Sequence, residues 1–249
     1  MSFGSCPSCS GKAHCLAMDS FIVTCEHGGN RVPAPYRRLF QGQQAVLDSH
    51  RGYDPGALVM AKSLAHALAA PLVASTVSRL VIDLNRSLGH PRVWSSATRG
   101  APRELLAGIV ERHYRPYRAE VERLVRRSVS HGRRVIHVSS HSFTPVLDGS
   151  VRRTDVGLLY DPARRGEALL GARWKASLAL IAPQVKVRRN YPYAGKADGL
   201  TSALRVTFPD RAYIGLELEI NQQIVFAWGR RWTALRAALI ESFRTACAG

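Results

Sequence analysis

At 249 residues, with 46% hydrophobic and 21% charged residues, the chain has the balance of one well-packed globular domain, which argues against disordered, fibrous and membrane-spanning classes. No run approaches the roughly 18 apolar residues of a membrane helix, and the opening MSFGSCPSCSGKAHC lacks the apolar stretch of a signal peptide, so a cytoplasmic protein is expected. Charge is the outlier: 35 Lys+Arg against 18 Asp+Glu leave +17, yet the arginines are scattered as doublets such as Arg37-Arg38, Arg133-Arg134 and Arg230-Arg231, a solvated basic surface rather than a nucleic-acid reader.

Residues 1–20 are expected to lie outside the folded domain, which spans 21–249. Within that opening segment Cys6, Cys9, His14 and Cys15 are spaced closely enough to close a zinc site, but Gly and Ser around them supply no apolar period. From Phe21 short apolar runs alternate with helical stretches, the pattern of an α/β domain. Phe21 to Glu26 reads as a buried strand ended by Gly28-Gly29. Pro55 to Ala70 is a predicted helix with Leu58, Ala61, Leu64, Ala65 and Leu68 on one face. Pro71 to Thr76 and Arg79 to Leu84 are predicted strands. Helical spacing then runs from Arg103 to Val129 with a kink expected at Pro116. Arg134 to Ser140 and Tyr213 to Ile220 are further predicted strands, and Gly166 to Ile181 and Trp232 to Cys247 further helices.

Several of these strands run into residues that no structural element needs. Phe21 to Glu26 leads into His27, Arg79 to Leu84 into Asn85-Arg86, and Arg134 to Ser140 into His141; Tyr213 to Ile220 carries Glu217 and Glu219 on one face. In open α/β sheets the ligand crevice lies at the carboxyl ends of strands, where such residues converge. Two imidazoles, several carboxylates and an Arg beside an amide suit metal-assisted hydrolysis of a substrate that carries a carboxylate. Each has a bland reading too: a His at a strand end often serves structure alone, Arg86 could form a structural ion pair, and Asp83 could orient a ligating His or form a turn.

Five blocks in order, Cys25 to Pro33 (CEHGGNRVP), His50 to Ala57 (HRGYDPGA), Ser78 to Arg86 (SRLVIDLNR), Ser140 to Pro145 (SHSFTP) and Glu217 to Gln222 (ELEINQ), resemble the N-formylglutamate amidohydrolase family. That resemblance implies an α/β fold, a three-layer α/β/α with a central mixed sheet (phosphorylase/hydrolase-like), similar to zinc carboxypeptidases and aspartoacylases, whose Asn-Arg pair grips a substrate carboxylate. It implies one zinc ion held by His27, His141 and a carboxylate. Where the carboxypeptidase-like relatives have a ligating Glu three residues after the first His, this sequence has Asn30. The third ligand is therefore open between Asp54, Glu26 and His50, with Asp54 first.

On this reading the chain is a metal-dependent, zinc-type amidohydrolase of an N-acyl (N-formyl) amino acid such as N-formylglutamate. Glu219 is the expected general base with Glu217 as substitute. Arg86 offers a planar fork to a carboxylate, Asn85 adds a bond, and Arg79, Arg153 and the loop Asn190-Tyr191-Pro192-Tyr193 are weaker substrate-side candidates. The expected partner is the small-molecule substrate, with no membrane or nucleic acid. Two rivals are an inactive binder of small carboxylates and a basic nucleic-acid-binding protein on the same fold, separable by metal content and by salt-dependent retention.

Overall fold

The computed structural model describes residues 19–227 and 229–248. The Cys6, Cys9, His14 and Cys15 cluster, and with it nearly all of the segment assigned outside the domain, lies beyond the described residues.

Strand β1 (Ser20–Cys25) opens the domain and is followed by a 3-10 turn (Ala34–Phe40), α1 (Gln44–Leu47), α2 (Ala57–Ala67) and the short β2 (Leu72–Ala74). A long connection leads to α3 (Arg103–Ile109), a π-helical turn (Val110–Tyr114) and α4 (Arg115–Ser130). Then come β3 (Val135–Phe143), the two-residue strands β4 (Val146–Leu147) and β5 (Ser150–Val151), and β6 (Val156–Leu159). The chain continues through α5 (Arg165–Ile181), β7 (Val187–Arg189), α6 (Leu200–Thr207), β8 (Tyr213–Asn221), α7 (Gln222–Phe226) and α8 (Arg230–Ala248). Six strands form one sheet in the order β2-β1-β3-β8-β6-β7. The first four run parallel, and β6 pairs antiparallel with β8, so the sheet is mixed.

Strand alternation sorts side chains to the two faces. Val23 and Cys25 of β1, Ile136 and Val138 of β3, and Ile214, Leu216, Leu218 and Ile220 of β8 pack with α2, α5 and α8. Ile22, Val135 and Tyr213 face α4 and α6 instead, among Tyr117, Val121, Val125, Leu200 and Leu204. The result is the three-layer α/β/α fold. The second face turns polar toward the carboxyl ends of the strands, where Glu26, Ser139, His141, Glu217 and Glu219 replace apolar residues.

Four details differ from the sequence reading. Arg79 to Leu84 is not a strand: Val81, Ile82 and Leu84 are buried as a strand's would be, but the backbone is a series of turns bonded to the hydroxyl of Ser78, the carboxylate of Asp83 and Val93 O. An apolar run cannot by itself tell a strand from such a buried loop. α2 starts at Ala57 rather than Pro55 because Gly56 takes a left-handed φ of 81°. Pro116 falls in the first turn of α4, directly after the π-helical turn, rather than inside one continuous α-helix. Strands β6 and β7 and helix α6, absent from the predicted elements, complete the sheet edge and the second helical layer.

Candidate active site

β1 ends at Cys25, and the chain turns at once through Glu26 and His27. The turn lies against residues 75–77: Gly28 N–H donates to Ser75 O at 2.9 Å, and a Cβ on Gly28 would sit 2.8 Å from that oxygen. Only glycine allows so close an approach, which fixes where His27 points. Asp54 comes from the loop before α2, tied by its own N–H to His27 O at 2.9 Å. His141 lies on β3, directly opposite Glu219 of β8. The hydroxyls of Ser140 and Ser142, on the other face of β3, donate to Ala57 O and Pro55 O and so clamp the α2 start to the strand.

Three of these side chains converge. His27, Asp54 and His141 are all buried, and each offers a ligand atom within 4.8 Å of the others. His141 Nδ1 lies 2.8 Å and His27 Nδ1 3.3 Å from the same oxygen, Asp54 Oδ2. The far nitrogens are engaged elsewhere: His27 Nε2 donates to Asp83 Oδ1 at 2.7 Å, and His141 Nε2 lies 2.9 Å from Glu26 Oε2. A carboxylate can only accept, so the Nε2 of each ring carries a proton, and each Nδ1 either donates to Asp54 Oδ2 or, on a ring that has given up that proton, offers a lone pair to a cation between them. Two Nδ1 atoms and a carboxylate oxygen facing one point could hold a cation, and imidazoles backed by carboxylates are the usual setting of metal-ligating histidines. The donor set fits zinc chemistry.

Electrostatics agree with the geometry. Burial disfavours the charged form of His141, but hydrogen bonds with Asp54 and Glu26 carry its pKa well above the usual imidazole value. Burial pushes Asp54, Asp83 and Glu26 upward, and the opposing cations and hydrogen bonds nonetheless hold all three well below the carboxylate range. Glu219 goes the other way, to about 8, because burial dominates, with Asp54 and Glu217 adding repulsion against the opposing His141. Its Oε2 is buried without a hydrogen-bond partner among the described residues. Glu217, by contrast, accepts from the Thr201 hydroxyl at 2.7 Å.

A cleft of about 360 Å³ opens over this group, and its lining includes Asn85, Arg86, Tyr193 and Glu219. The Oδ1 of Asn85 accepts from Leu200 N–H at 2.7 Å, which leaves its NH2 beside His141. Arg86 donates to the backbone carbonyl of Asp198, with no carboxylate partner among the described residues. Arg79 also lines the cleft, but its guanidinium reaches Asp83 at 2.7 Å and Asp54 at 3.4 Å, bracing the group from the side.

Of the three candidates for a third ligand, the structure brings Asp54 into the converging group. Glu26 stands behind His141 instead, and His50 lines the cleft outside the converging group. Arg153 is exposed and does not line the cleft; its neighbour Arg152 does the reaching, stacked on the rings of Phe143 and Tyr193 and bonded to the Tyr193 hydroxyl at 3.1 Å. Sequence reasoning missed Tyr117 and Ser139, both bonded to Glu26. Ser139 could have been found, two residues before His141 on the same strand face; Tyr117, brought by a distant helix, left no local signal.

Fold and site together define a hydrolase with a buried His-Asp-His group at the carboxyl ends of parallel strands. A family model described as N-formylglutamate amidohydrolase matches residues 19–226, so the chain belongs to that family and is a hydrolase acting on amide bonds. It is similar to a gene product of Agrobacterium tumefaciens of known crystal structure, at 28% identity over 93% of this chain and 92% of that one, with a TM-score of 0.80. It also shares its fold with N-formylglutamate amidohydrolase from Ralstonia eutropha, at 18% identity over 93% and 94% of the two chains and a TM-score of 0.67. No curated protein matches the sequence. No helix among the described residues is long and apolar enough to cross a membrane.

Proposed function

We propose that this chain is a zinc-dependent amidohydrolase that cleaves an N-acyl amino acid, N-formylglutamate foremost, and that residues 21–249 form its single catalytic domain. The observation that carries this reading is the pair of Nδ1 atoms turned onto Asp54 Oδ2, with the Nε2 of His27 bonded to Asp83 and that of His141 set between Ser139 Oγ and Glu26 Oε2. His27, Asp54 and His141 would hold the ion. Bound there, zinc would supply a Lewis acid that polarises an amide carbonyl and acidifies a water.

The chain's own residues do the rest. Glu219 stands beside His141 across the β3–β8 pairing, so its carboxylate can take a proton from the attacking water and hand it to the departing amine nitrogen. Glu217 is the weaker candidate because Thr201 already occupies one of its oxygens. Arg86 presents a fork to the substrate carboxylate from the cleft wall, and the NH2 of Asn85 lies next to it in sequence and faces His141. Arg79 keeps Asp54 and Asp83 in place rather than meeting substrate.

The test pairs metal analysis with N-formylglutamate hydrolysis. Purified protein should carry one zinc and release formate, and Arg86→Lys should lower kcat/KM by roughly 10- to 150-fold, the loss of one charge-assisted bond, with the metal retained. The same substrate amidated at its α-carboxylate should be poor for wild type and little worse for the variant. Full metal loading with no hydrolysis of any N-acyl amino acid would sink the assignment.

A further inference from the structure

Glu26 is buried, is not among the converging ligand atoms, and takes no part in the proton transfers proposed above. It is nevertheless engaged on both oxygens. The Tyr117 hydroxyl donates to its Oε1 at 2.9 Å, and the Ser139 hydroxyl to its Oε2 at 2.6 Å. Having spent its proton on Glu26, the Ser139 oxygen is an acceptor, and it lies 2.9 Å from His141 Nε2. Nε2 therefore faces two acceptors, Ser139 Oγ and Glu26 Oε2, each at 2.9 Å. The Asn85 NH2, 3.4 Å away, is itself a donor and does not compete for the proton.

The polar strip continues below. Thr24, one strand step back on the same face of β1, bonds His137 Nε2 at 2.8 Å, and His137 Nδ1 meets the Tyr213 hydroxyl at 2.7 Å. Glu26 is the carboxylate at the end of that strip, beside His141. His27 is arranged differently, since its carboxylate Asp83 is shared with Arg79, whose side chain is 26% exposed.

We infer that Glu26, held by Tyr117 and Ser139, is the positioning residue that fixes the Nε2–H form and the ring angle of His141, and thereby sets how tightly the metal is held, independently of the substrate cleft. This role rests on the metal reading proposed above. Outer partners of ligating histidines typically change metal affinity by roughly 10- to 100-fold when altered.

The experiment measures zinc affinity by competition with a chromophoric chelator, together with the imidazole proton and nitrogen signals of His141 in the zinc-loaded protein. Glu26→Gln should bind zinc roughly 10- to 100-fold more weakly, with the slowly exchanging Nε2–H signal of His141 shifted or lost. Tyr117→Phe, which removes one donor and keeps the ring, should weaken binding in the same direction by a smaller factor. Wild-type affinity with unchanged His141 signals in Glu26→Gln would overturn the role of Glu26 alone; should that variant not fold, undiminished affinity in Tyr117→Phe overturns it. A wild-type chain that binds no zinc would overturn the metal reading as well, so the two failures are told apart by the wild-type titration.

Discussion

Glu219 is 5% exposed, has an oxygen with no partner among the described residues, and sits on a central strand whose other face is continuous with the apolar core. A sheet does not gain stability from such a residue, because burying an unpaired polar group is costly. Burial raises its pKa to about 8, and a cation held by His27, Asp54 and His141 would favour the carboxylate again. Glu219→Gln preserves shape and loses the base. It should retain zinc and substrate binding while kcat falls roughly 10²- to 10⁴-fold, as measured by steady-state kinetics with metal analysis on the same sample. A near-normal Glu219→Gln beside a crippled Glu217→Gln would transfer the role to Glu217. At this scale the sequence was informative about His27, His141, Glu219, Asn85 and Arg86, because each follows or ends an apolar run and needs no partner to be noticed. It ranked Asp54 ahead of Glu26 and His50 without separating them geometrically, since which carboxylate or imidazole meets the others depends on loops that converge only in three dimensions.

Among the elements, β6 shows how a strand missing from the predictions still governs the site. It pairs antiparallel with β8, placing Gly157 opposite Glu219. A Cβ on Gly157 would stand 1.9 Å from Tyr191 O and 3.2 Å from the Glu219 Cβ. The glycine thus lets the loop that carries Tyr193 close onto the sheet next to the proposed base. Gly157→Ala must push that loop away. It should cost about 1–3 kcal/mol of stability and lower kcat/KM, whereas Gly100→Ala, with nothing within 4 Å of the added Cβ, should stay within about 0.5 kcal/mol of wild type. Denaturant titrations of both variants check this, and equal behaviour would show that the loop has room to spare. β1, β3 and β8 were legible because buried central strands are apolar in long runs. Arg79 to Leu84 has the same composition and is not a strand, since its backbone finds partners in Ser78, Asp83 and Val93 rather than in a neighbouring strand.

For the whole molecule, two apolar clusters sandwich the sheet, one beneath α2, α5 and α8 and one beneath α4 and α6. A core of this extent stands without metal. Chelation should therefore abolish hydrolysis while leaving the far-ultraviolet circular dichroism largely intact, and added zinc should raise Tm in a concentration-dependent way, as mass action requires of a ligand that binds only the folded chain. Collapse of the dichroism on chelation would make the metal structural. The basic excess is carried largely at the surface, where pairs such as Arg123–Glu120 and Arg126–Glu122 lie along α4 and contribute little to stability. By itself the sequence determined the α/β class, the main strands and the set of polar residues at their ends, because hydrophobic periodicity and local spacing are properties of neighbouring residues. The tertiary structure alone decided that Asp54 joins the two imidazoles, that Glu26 and Asp83 stand behind them, and that Arg152 rather than Arg153 reaches the Tyr193 loop. Those choices follow from strand register and loop convergence, which bring together residues as far apart as Glu26 and Ser139.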